Sequence, residues 1–490
     1  MNIVSKQSSS LAGQGSAMTG LAMPSAERAP FMARQHVQDD PGRFFAREGV
    51  EPLTHAFDGK IAVHPGMGGR PVGPSEQEAL LRELAGRERV GKSVAYIHVP
   101  FCETHCLYCG FFRDGYRKEQ SRVYTDALIR ELGIWRDSPT QKSGPVHAVY
   151  FGGGTPTALE PQDMERMILA ARTMLPLAKD CEITIEGRSS NLTVERIEAC
   201  LEGGANRFSL GVQSFNTSIR QAMGRRSTRE QLVERLTLLR KYDEAAVIVD
   251  LIYGFPMQSM DVWLEDIAVA QSLELDGADY YQLNTYTGSP LAHAIKSGKL
   301  PTGADIAMQA RMFASGVAAM EGRFYRRLSI SHWGRTPRER NIYNQYVKGG
   351  AHCLAFGPGG GGSLDGHFYI NTPDYQGWLE GVNEGRKPVA MMTRPGPHSA
   401  LFRAMAENME QGYLDVPSIE SAFGLSLGRL LRPLFDQWER AGLVARRGES
   451  YLLTLAGQFW QVNLSQFMME YYAAELRKTP EAAAVSDAVA

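Results

Sequence analysis

The chain has 490 residues, of which 43% are apolar and 22% charged, and its formal net charge is −2 at pH 7. This composition indicates a globular protein with a sizeable core, and the balanced charge gives no sign of a nucleic-acid or anionic-membrane partner. No apolar run reaches the roughly 18 residues of a membrane span, and the N-terminus lacks a continuous apolar segment. The few cysteines indicate a reduced, cytoplasmic protein.

The first 92 residues contain little periodicity. Residues 1–40 are rich in Ser, Ala, Gly and Met, and we predict a disordered tail there. Residues 41–92 are predicted to form an N-terminal extension that covers the mouth of the next domain, with a helix near Ser75–Gly86. The Gly- and Pro-rich stretch at 64–71 fits a linker equally well.

Short apolar runs alternate with helical segments over residues 93–300. Such alternation predicts parallel strands joined by right-handed crossovers, and six units predict an α/β fold, an incomplete (β/α)6 barrel. The predicted strands are Val94–Val99, Ala148–Phe151, Ile183–Glu186, Arg207–Leu210, Ala246–Ile252 and Asp279–Leu283. The predicted helices are Gln120–Trp135, Pro161–Leu175, Thr193–Leu201, Arg229–Lys241 and Val262–Leu273.

Three cysteines, Cys102, Cys106 and Cys109, follow the first predicted strand at C-x3-C-x2-C spacing. Thiolates suit soft metal centres, and three of them on a [4Fe–4S] cluster leave one iron open for a small ligand. The alternatives are a zinc site completed by His98 or His105, a disulfide, or three inert buried thiols. The triplet is not part of a pair of C-x2-C motifs that together supply four zinc ligands, and this favours the cluster. An open iron is oxygen-labile and predicts an anaerobic role.

Polar residues and glycines end or interrupt the later strands. Chemistry in a parallel barrel concentrates at the C-terminal strand ends, so these residues are candidate ligand contacts. The glycines permit close backbone approach, the carboxylates and amides accept hydrogen bonds, and arginine can grip a carboxylate. The alternative for the glycines is a tight turn, that for Asp250 is a paired structural carboxylate, and that for Gln213 and Arg225 is a surface turn. The candidates are Gly153, Gly154, Thr155, Glu186, Gln213, Arg225, Asp250 and Asn284.

Residues 301–390 are predicted to form a substrate-binding or linker region. Basic and aromatic residues are interleaved at 323–340, which suits a flat macrocycle with propionates; nucleic acid is the alternative, and the net charge argues against it. His332 and His352 are candidate haem-iron ligands and Arg335 a candidate carboxylate contact, unless they are structural. The Gly-rich stretch 355–363 lacks the lysine of a P-loop and predicts close backbone approach or a flexible loop.

Polar helical segments resume over residues 391–475. Helices at Ser418–Phe423 and Ser426–Ala441, followed by a hairpin at 442–454, predict a mostly helical, winged-helix-like domain. No strongly basic recognition helix is present, so packing on the barrel is favoured over DNA binding. Residues 476–490 are predicted to be a flexible tail.

Taken together, the motifs resemble the HemN-like (coproporphyrinogen dehydrogenase) branch of the radical S-adenosylmethionine (SAM) superfamily. The motifs are Y-I-H-V-P-F-C-x3-C-x-Y-C, F-G-G-G-T-P-T, G-V-Q-S-F and D-L-I-Y-G-F-P-M-Q, in that order. The resemblance implies a [4Fe–4S] cluster on the three cysteines, SAM on its open iron, and reductive cleavage of SAM to a 5′-deoxyadenosyl radical. It implies that SAM contacts Tyr96, Tyr108, Gly153, Gly154, Thr155, Glu186, Gln213, Arg225 and Asp250, and it makes Asn284 a candidate for a second SAM.

Two segments depart from that branch. Glu186 is followed by Gly187-Arg188, and Cys109 by Gly110-Phe111-Phe112. With S-H-W-G-R-T-x-R-E-R-N at 331–341, they are similar to the anaerobic haem-degrading radical SAM methyltransferases (ChuW/HutW). That similarity implies addition of a SAM-derived radical to haem, ring opening, methyl transfer, release of iron with a linear tetrapyrrole, and electrons from a carrier such as flavodoxin.

Two other functions stay open at this point. One is the oxidative decarboxylation of coproporphyrinogen III by an enzyme of the same branch. The other is a haem chaperone, which keeps the cluster but performs no turnover on haem.

Overall fold

The computed structural model describes residues 41–61, 69–111 and 114–478. The tail predicted at 1–40, residues 479–490 of the predicted C-terminal tail, most of the stretch 64–71, and Phe112 lie outside the described residues.

The described residues contain eighteen strands and a similar number of helices. The strands are β1 (Arg70–Pro71), β2 (Ser93–Val99), β3 (Phe101–Cys102), β4 (Asp114–Gly115), β5 (Val146–Gly153), β6 (Leu177–Gly187), β7 (Arg207–Gln213), β8 (Ala246–Tyr253), β9 (Gly277–Gln282), β10 (Arg326–Arg327), β11 (His332–Gly334), β12 (His352–Phe356), β13 (Gly361–Leu364), β14 (His367–Asn371), β15 (Val389–Arg394), β16 (Tyr413–Leu414), β17 (Val444–Arg447) and β18 (Ser450–Leu453). The helices are α1 (Pro52–His55), α2 (Pro74–Ala85), α3 (Lys118–Ile134), α4 (Pro139–Lys142), α5 (Pro161–Met174), α6 (Val194–Gly203), α7 (Thr217–Ala222), α8 (Arg229–Tyr242), α9 (Met260–Ser272), α10 (Pro290–Lys296), α11 (Ile306–Glu321), α12 (Ile342–Lys348), α13 (Tyr375–Asn383), α14 (Ser399–Glu410), α15 (Val416–Phe423), α16 (Leu427–Arg440), α17 (Leu455–Phe459) and α18 (Gln461–Arg477).

One sheet organises the chain, in the order β1-β15-β14-β13-β12-β2-β5-β6-β7-β8-β9-β11-β10. The strands from β12 to β9 in this order run parallel, and the strands outside them are antiparallel. β2 is buried along almost its whole length, as expected for a parallel strand covered on both faces. The prediction of an α/β fold built on parallel strands is confirmed, and all six predicted strands are present. The sheet of the described residues does not close on itself.

The sheet also extends into residues 301–390, which the sequence analysis treated as a separate region. β12 is a seventh parallel strand, with Ala355 opposite Tyr96, and β11 pairs with β9. These strands are short or rich in glycine and lack an alternating pattern, so nothing local in the sequence marked them. The division of the chain into domains therefore stays a prediction, and the sheet itself has no boundary near residue 300.

The Gly-rich stretch 355–363 forms a turn that packs on protein backbone. Gly357 has a φ of +83°, and a Cβ there would lie 2.3 Å from the carbonyl oxygen of His98. Its N–H donates to the buried carboxylate of Glu131 at 2.7 Å, and Lys387 forms an ion pair with the same carboxylate. The close backbone approach is therefore to strand β2.

Capping side chains mark the starts of the crossover helices. Thr193 accepts a hydrogen bond from the N–H of Arg196 at the start of α6, and Thr228 and Gln231 form a capping box at α8. Pro161 occupies the first turn of α5, where its missing N–H costs no hydrogen bond. These local signals explain why the predicted helices agree with the observed ones.

The C-terminal region contains the predicted helices and hairpin, and it also binds the N-terminal segment. β16, β18 and β17 form a small sheet beside α15 and α16. The indole N–H of Trp438 donates to the carbonyl of Phe44 at 3.0 Å, and that of Trp460 donates to Pro52 at 3.0 Å. Asn463 bonds the backbone of Gly59 and Ile61. Tertiary hydrogen bonds thus hold residues 41–61 in place.

Among the helices of the described residues, none is long and apolar enough to cross a membrane.

We expect Trp438→Phe to lower the free energy of unfolding by about 1–3 kcal/mol, because it leaves the carbonyl of buried Phe44 without its donor. Urea denaturation measures the change, and limited proteolysis should show faster cleavage within residues 41–61. The matched control is Trp135→Phe, since the Trp135 indole makes no hydrogen bond within the described part of the chain. Equal stability losses in both variants would contradict the role given to the indole N–H.

Candidate active site

The cysteine loop lies at the C-terminal end of β2 and is tied to three other parts of the chain. The carbonyl of Cys102 accepts the N–H of Tyr116 at 2.9 Å. Leu107 donates its N–H to the carbonyl of Met223, and its own carbonyl accepts the N–H of Leu291 at 2.9 Å. The turn after α7 and the start of α10 therefore fix the loop from outside the motif itself.

The glycine turn after β5 packs directly on the strand that enters the cysteine loop. The N–H of Gly154 donates to Val99 and that of Thr155 to Phe101, both at 2.7 Å. A Cβ on Gly154 would lie 2.4 Å from the carbonyl oxygen of Phe101, and one on Gly153 would lie 2.6 Å from the His98 ring. The two glycines therefore allow close contact within the protein. This agrees with the tight turn that the sequence analysis gave as their alternative role.

Each cysteine sulfur has a hydrogen-bond donor nearby. The Sγ of Cys102 accepts from the hydroxyl of Thr155 at 3.3 Å and from Nη2 of Arg188 at 3.6 Å. The backbone N–H of Phe111 donates to the Sγ of Cys109 at 3.3 Å. The side chains of Tyr108 and Arg225 hydrogen-bond Cys106. Donors of this kind stabilise thiolates, which are the form of cysteine that binds metal.

The electrostatics of two of these thiols differ. Burial raises the pKa of Cys102, and Arg188 and Thr155 offset only part of that rise. Burial also opposes ionisation of Cys106, but Arg225 and Arg188 outweigh it and lower the pKa of this thiol. All six cysteines are free thiols, so the disulfide alternative is not supported.

The side chains of the described residues form no preformed site for a metal ion, zinc included. Across the described residues, no group of three or more His, Cys, Asp or Glu side chains is arranged to hold a single metal ion. His98 lies under Gly153 and its Nδ1 bonds the hydroxyl of Tyr96 at 3.1 Å, whereas His105 is exposed. The three cysteines fall under the same finding, so the assignment of a cluster to them depends on the C-x3-C-x2-C motif and stays a prediction.

Two carboxylates of the parallel sheet, Glu186 and Asp250, have raised pKa values. Glu186 accepts the N–H of Gly153 at 3.0 Å, and burial raises its pKa to about 7. Asp250 is opposite Asp279 in the sheet, and burial together with that carboxylate raises its pKa to about 8. Carboxyl groups whose pKa values are shifted toward neutrality in this way are typical of functional sites.

Gln213 and Arg225 meet at the end of β7. Gln213 has a φ of +73°, and its buried Oε1 accepts no hydrogen bond within the described residues, so it has a free acceptor for a ligand. Arg225 donates to the carbonyl of Gly211 and, at 2.9 Å, to the hydroxyl of Tyr108. The structure thus brings the cysteine loop and the end of β7 together.

The remaining two predicted SAM contacts lie near the edges of this group. The ring of Tyr96 stacks with those of Tyr150 and Tyr343, 6.3 and 6.0 Å away between ring centroids. Asn284 is partly buried just after β9, and the preceding Leu283 N–H donates to Tyr253 at 2.9 Å. A role for either residue in binding SAM stays a prediction.

His332 lies inside a fully buried charge network. Its Nδ1 bonds Asp279, and its Nε2 bonds Glu339 at 2.8 Å. Glu339 in turn accepts two hydrogen bonds from Arg207, at 2.9 and 3.1 Å. Both ring nitrogens of His332 are therefore occupied, as in the structural alternative, and no nitrogen is available to coordinate haem iron in this conformation.

Arg335 and His352 lie at the opposite end of the strands from the cysteines. Arg335 donates to the carbonyl of Leu275 at 2.7 Å, just before β9 begins. His352 is the first residue of β12, opposite Ser93 at the start of β2, and its Nε2 contacts the carbonyl of Val90. The structure does not bring these two candidate substrate residues to the cysteine loop.

Sequence reasoning missed two residues near the strand ends. The first is Arg188, which contacts both the cysteine loop and a cysteine sulfur. Its position two residues after Glu186, at the end of a predicted strand, could have indicated a place in the site. Lys60 bonds Gln282 at the end of β9 and lies 3.6 Å from the centroid of the Phe459 ring; burial lowers its pKa to about 7. No local pattern connects Lys60 to the site, because its neighbours are more than 200 residues away in sequence.

The chain is similar to known proteins both in sequence and in fold. Residues 96–269 match the model of the Radical SAM superfamily. The chain is 40% identical over 430 residues to the anaerobilin synthase of Escherichia coli O157:H7, which covers 87% of this chain and 94% of that protein. It is 28% identical over 311 residues to the oxygen-independent coproporphyrinogen III oxidase of Bradyrhizobium diazoefficiens, covering 60% and 68%.

The solved coproporphyrinogen III oxidase HemN of Escherichia coli has the same fold. It superposes with a TM-score of 0.70 at 21% identity, covering 83% of this chain and 96% of that one.

We expect His332→Ala to lower the free energy of unfolding by about 3–5 kcal/mol, because Asp279 and Glu339 would lose a shared buried partner. Urea denaturation at pH 7 measures the change. The exposed His293 provides the matched control, and His293→Ala should change stability by less than about 0.5 kcal/mol. A loss below about 1 kcal/mol in His332→Ala would show that the network does not depend on the imidazole.

The same network predicts a pH dependence of stability. Although burial alone would lower it, Asp279 and Glu339 raise the pKa of His332 to about 9, above its ordinary 6.5. The stabilisation is therefore complete below pH 6.5 and is lost as the pH rises through about 9. Between those values, urea denaturation should show a steeper loss of stability in the wild type than in His332→Gln. Parallel profiles would contradict the charged state assigned to the imidazole.

Proposed function

Since the chain belongs to the anaerobilin synthase family of radical SAM enzymes, we propose that it opens the haem macrocycle without oxygen. A SAM-derived radical is added to haem, a methyl group is transferred, and iron is released with a linear tetrapyrrole. The observation that carries the proposal is the 40% identity to an anaerobilin synthase across 94% of that protein's length.

The cofactors of such an enzyme are a [4Fe–4S] cluster and SAM. Cys102, Cys106 and Cys109 would hold the cluster, and the free thiols with their hydrogen-bond donors support this assignment. When bound, the cluster supplies the electron that cleaves SAM. The protein's own part is twofold. Arg225 and Arg188 lower the pKa of Cys106 against the effect of burial, and Arg225 holds the loop by donating to the hydroxyl of Tyr108.

Side chains at the strand ends would bind SAM. Glu186 and Asp250 would accept hydrogen bonds from the ribose hydroxyls or the ammonium group, and their raised pKa values support a site that awaits a cationic ligand. Gln213 would offer its unused Oε1, and Arg225 would hold the carboxylate. Tyr96, Tyr108, Gly153, Gly154 and Thr155 would complete the pocket, with Asn284 beside a second SAM.

The remaining parts of the proposal concern partners and location. Haem is the proposed substrate, and a low-potential carrier such as flavodoxin is the proposed electron donor. We propose a cytoplasmic enzyme without a nucleic-acid partner. The positions of His332, Arg335 and His352 give no support to direct haem contact, so the residues that hold haem are to be sought around the cysteine loop.

Two reactions separate this function from its relatives' functions. The cluster is reconstituted anaerobically, and SAM and reductant are added with haem in one reaction and coproporphyrinogen III in another. We expect consumption of haem and a methylated open tetrapyrrole by mass spectrometry. Loss of carbon dioxide from coproporphyrinogen, or haem binding without a product, would replace the proposal with a decarboxylase or a chaperone. Cys106→Ala should abolish SAM cleavage, and Cys200→Ala is the control because Cys200 is buried in the hydrophobic core.

The raised pKa values predict how SAM binding depends on pH. Burial and Asp279 raise the pKa of Asp250 to about 8, and burial raises that of Glu186 to about 7, so both carboxyls become charged as the pH rises through this range. Affinity for cationic SAM should therefore increase from pH 6 to 8.5, by about tenfold if one ionised carboxylate contributes about 1.4 kcal/mol. Calorimetry on the reconstituted enzyme measures this change. Asp250→Asn should flatten the upper part of the profile, and an unchanged profile would exclude Asp250 from the site.

A further inference from the structure

Arg188 bridges the cysteine loop and one of the cysteine sulfurs. Its Nη1 donates to both the carbonyl and the hydroxyl of Thr104, each at 2.9 Å. Its Nη2 lies 3.6 Å from the Sγ of Cys102. Thr104 lies between Cys102 and Cys106 in the sequence. A single guanidinium therefore contacts both the backbone of the loop and one of its proposed metal ligands.

The Arg188 side chain is held from its own side as well. Its backbone N–H donates to the hydroxyl of Thr157 at 3.3 Å. The following residue, Ser189, begins a 3-10 turn, and its carbonyl accepts from Arg235 at 2.6 Å. The guanidinium therefore projects from a fixed backbone toward the loop and does not depend on the cluster for its position.

The charge of Arg188 is not neutralised by an ion pair. Within the described residues no carboxylate lies within 4.0 Å of its guanidinium nitrogens, whereas Arg196, on the helix that follows, lies 3.9 Å from Glu160. The other donor to Cys102 is the neutral hydroxyl of Thr155, and the donor to Cys109 is a backbone N–H. Arg188 thus brings a full positive charge to the sulfur of Cys102.

A charge in this position has a definite electrostatic consequence. When a low-potential carrier passes one electron to a [4Fe–4S] cluster, the carrier is oxidised and the cluster becomes more negative by one unit. A positive charge and a hydrogen bond on a ligand sulfur favour the more negative form, so they raise the reduction potential. The partly buried setting weakens screening by water and strengthens the effect.

We propose that Arg188 is a positioning residue of the cluster site: it fixes the segment between Cys102 and Cys106 and raises the reduction potential of the cluster that these cysteines bind. This inference rests on the proposed cluster site. It goes beyond that site because it names a residue outside the cysteine motif that sets how readily the cluster accepts an electron.

The test is a redox titration of reconstituted protein followed by the electron paramagnetic resonance signal of the reduced cluster. In Arg188→Gln the ratio of reduced to oxidised cluster at a fixed potential should fall by about tenfold, equal to about 59 mV for a one-electron couple. Arg188→Lys keeps the charge but loses the fork geometry, so it should fall between that variant and the wild type. Arg226→Gln removes an exposed charge from the same pocket without contact to a sulfur, and should titrate like the wild type.

The outcomes separate the inference from the function on which it depends. A wild-type potential in Arg188→Gln with full iron content overturns the inference, and so does an equal shift in Arg226→Gln. If Arg188→Gln loses iron, the measurement on Arg188→Lys tests the inference instead. A lowered reduction potential or a lost cluster in Arg188→Lys supports the role of Arg188. A wild-type reduction potential in Arg188→Lys overturns that role. Retention of a full cluster in Cys106→Ala would instead refute the proposed cluster site itself.

Discussion

The packing of the glycine turn against the backbone of Phe101 is the contact on which the site depends. Gly154 approaches so closely that a Cβ would lie 2.4 Å from the Phe101 carbonyl, and Thr155 then lies with its hydroxyl 3.3 Å from the Sγ of Cys102. The same turn sends the N–H of Gly153 to Glu186 at 3.0 Å. One steric constraint therefore aligns the first cysteine, its hydrogen-bond donor and a carboxylate from a third strand.

Charge balance decides which of the buried groups remain free to respond to a ligand. With His332 protonated, Arg207 and His332 supply two positive charges against the negative charges of Glu339 and Asp279. Because these four neutralise one another, Asp250 is left beside Asp279 without a cation of its own. Burying paired charges costs less than burying single ones. This difference accounts for the raised pKa of Asp250, which forms no ion pair within the described residues.

Residues 41–61 are held by side chains of the C-terminal region and reach the end of β9. Trp438, Trp460 and Asn463 hold residues 41–61 through their side-chain hydrogen bonds, and that segment carries Lys60 to Gln282 at the end of β9. Burial lowers the pKa of Lys60 to about 7, so this amine is close to losing its charge at neutral pH. Side chains from residues 438–463 thus position the segment that carries Lys60, and whether this segment covers the site stays a prediction.

The sequence by itself determined the central strands, the crossover helices and the cysteine motif. Their signals are local: apolar runs, helix caps and fixed spacing all lie within one segment of chain. It also indicated that Glu186, Gln213 and Asp250 would gather at one edge, because parallel strands end together. Only the tertiary structure decided the partners of His332, the contact between Arg188 and Cys102, and the pairing of β12 with β2. His332 and Asp279 are 53 positions apart in sequence, Arg188 and Cys102 are 86 apart, and β12 and β2 are more than 250 apart. No local pattern records which distant segment will lie beside a given side chain.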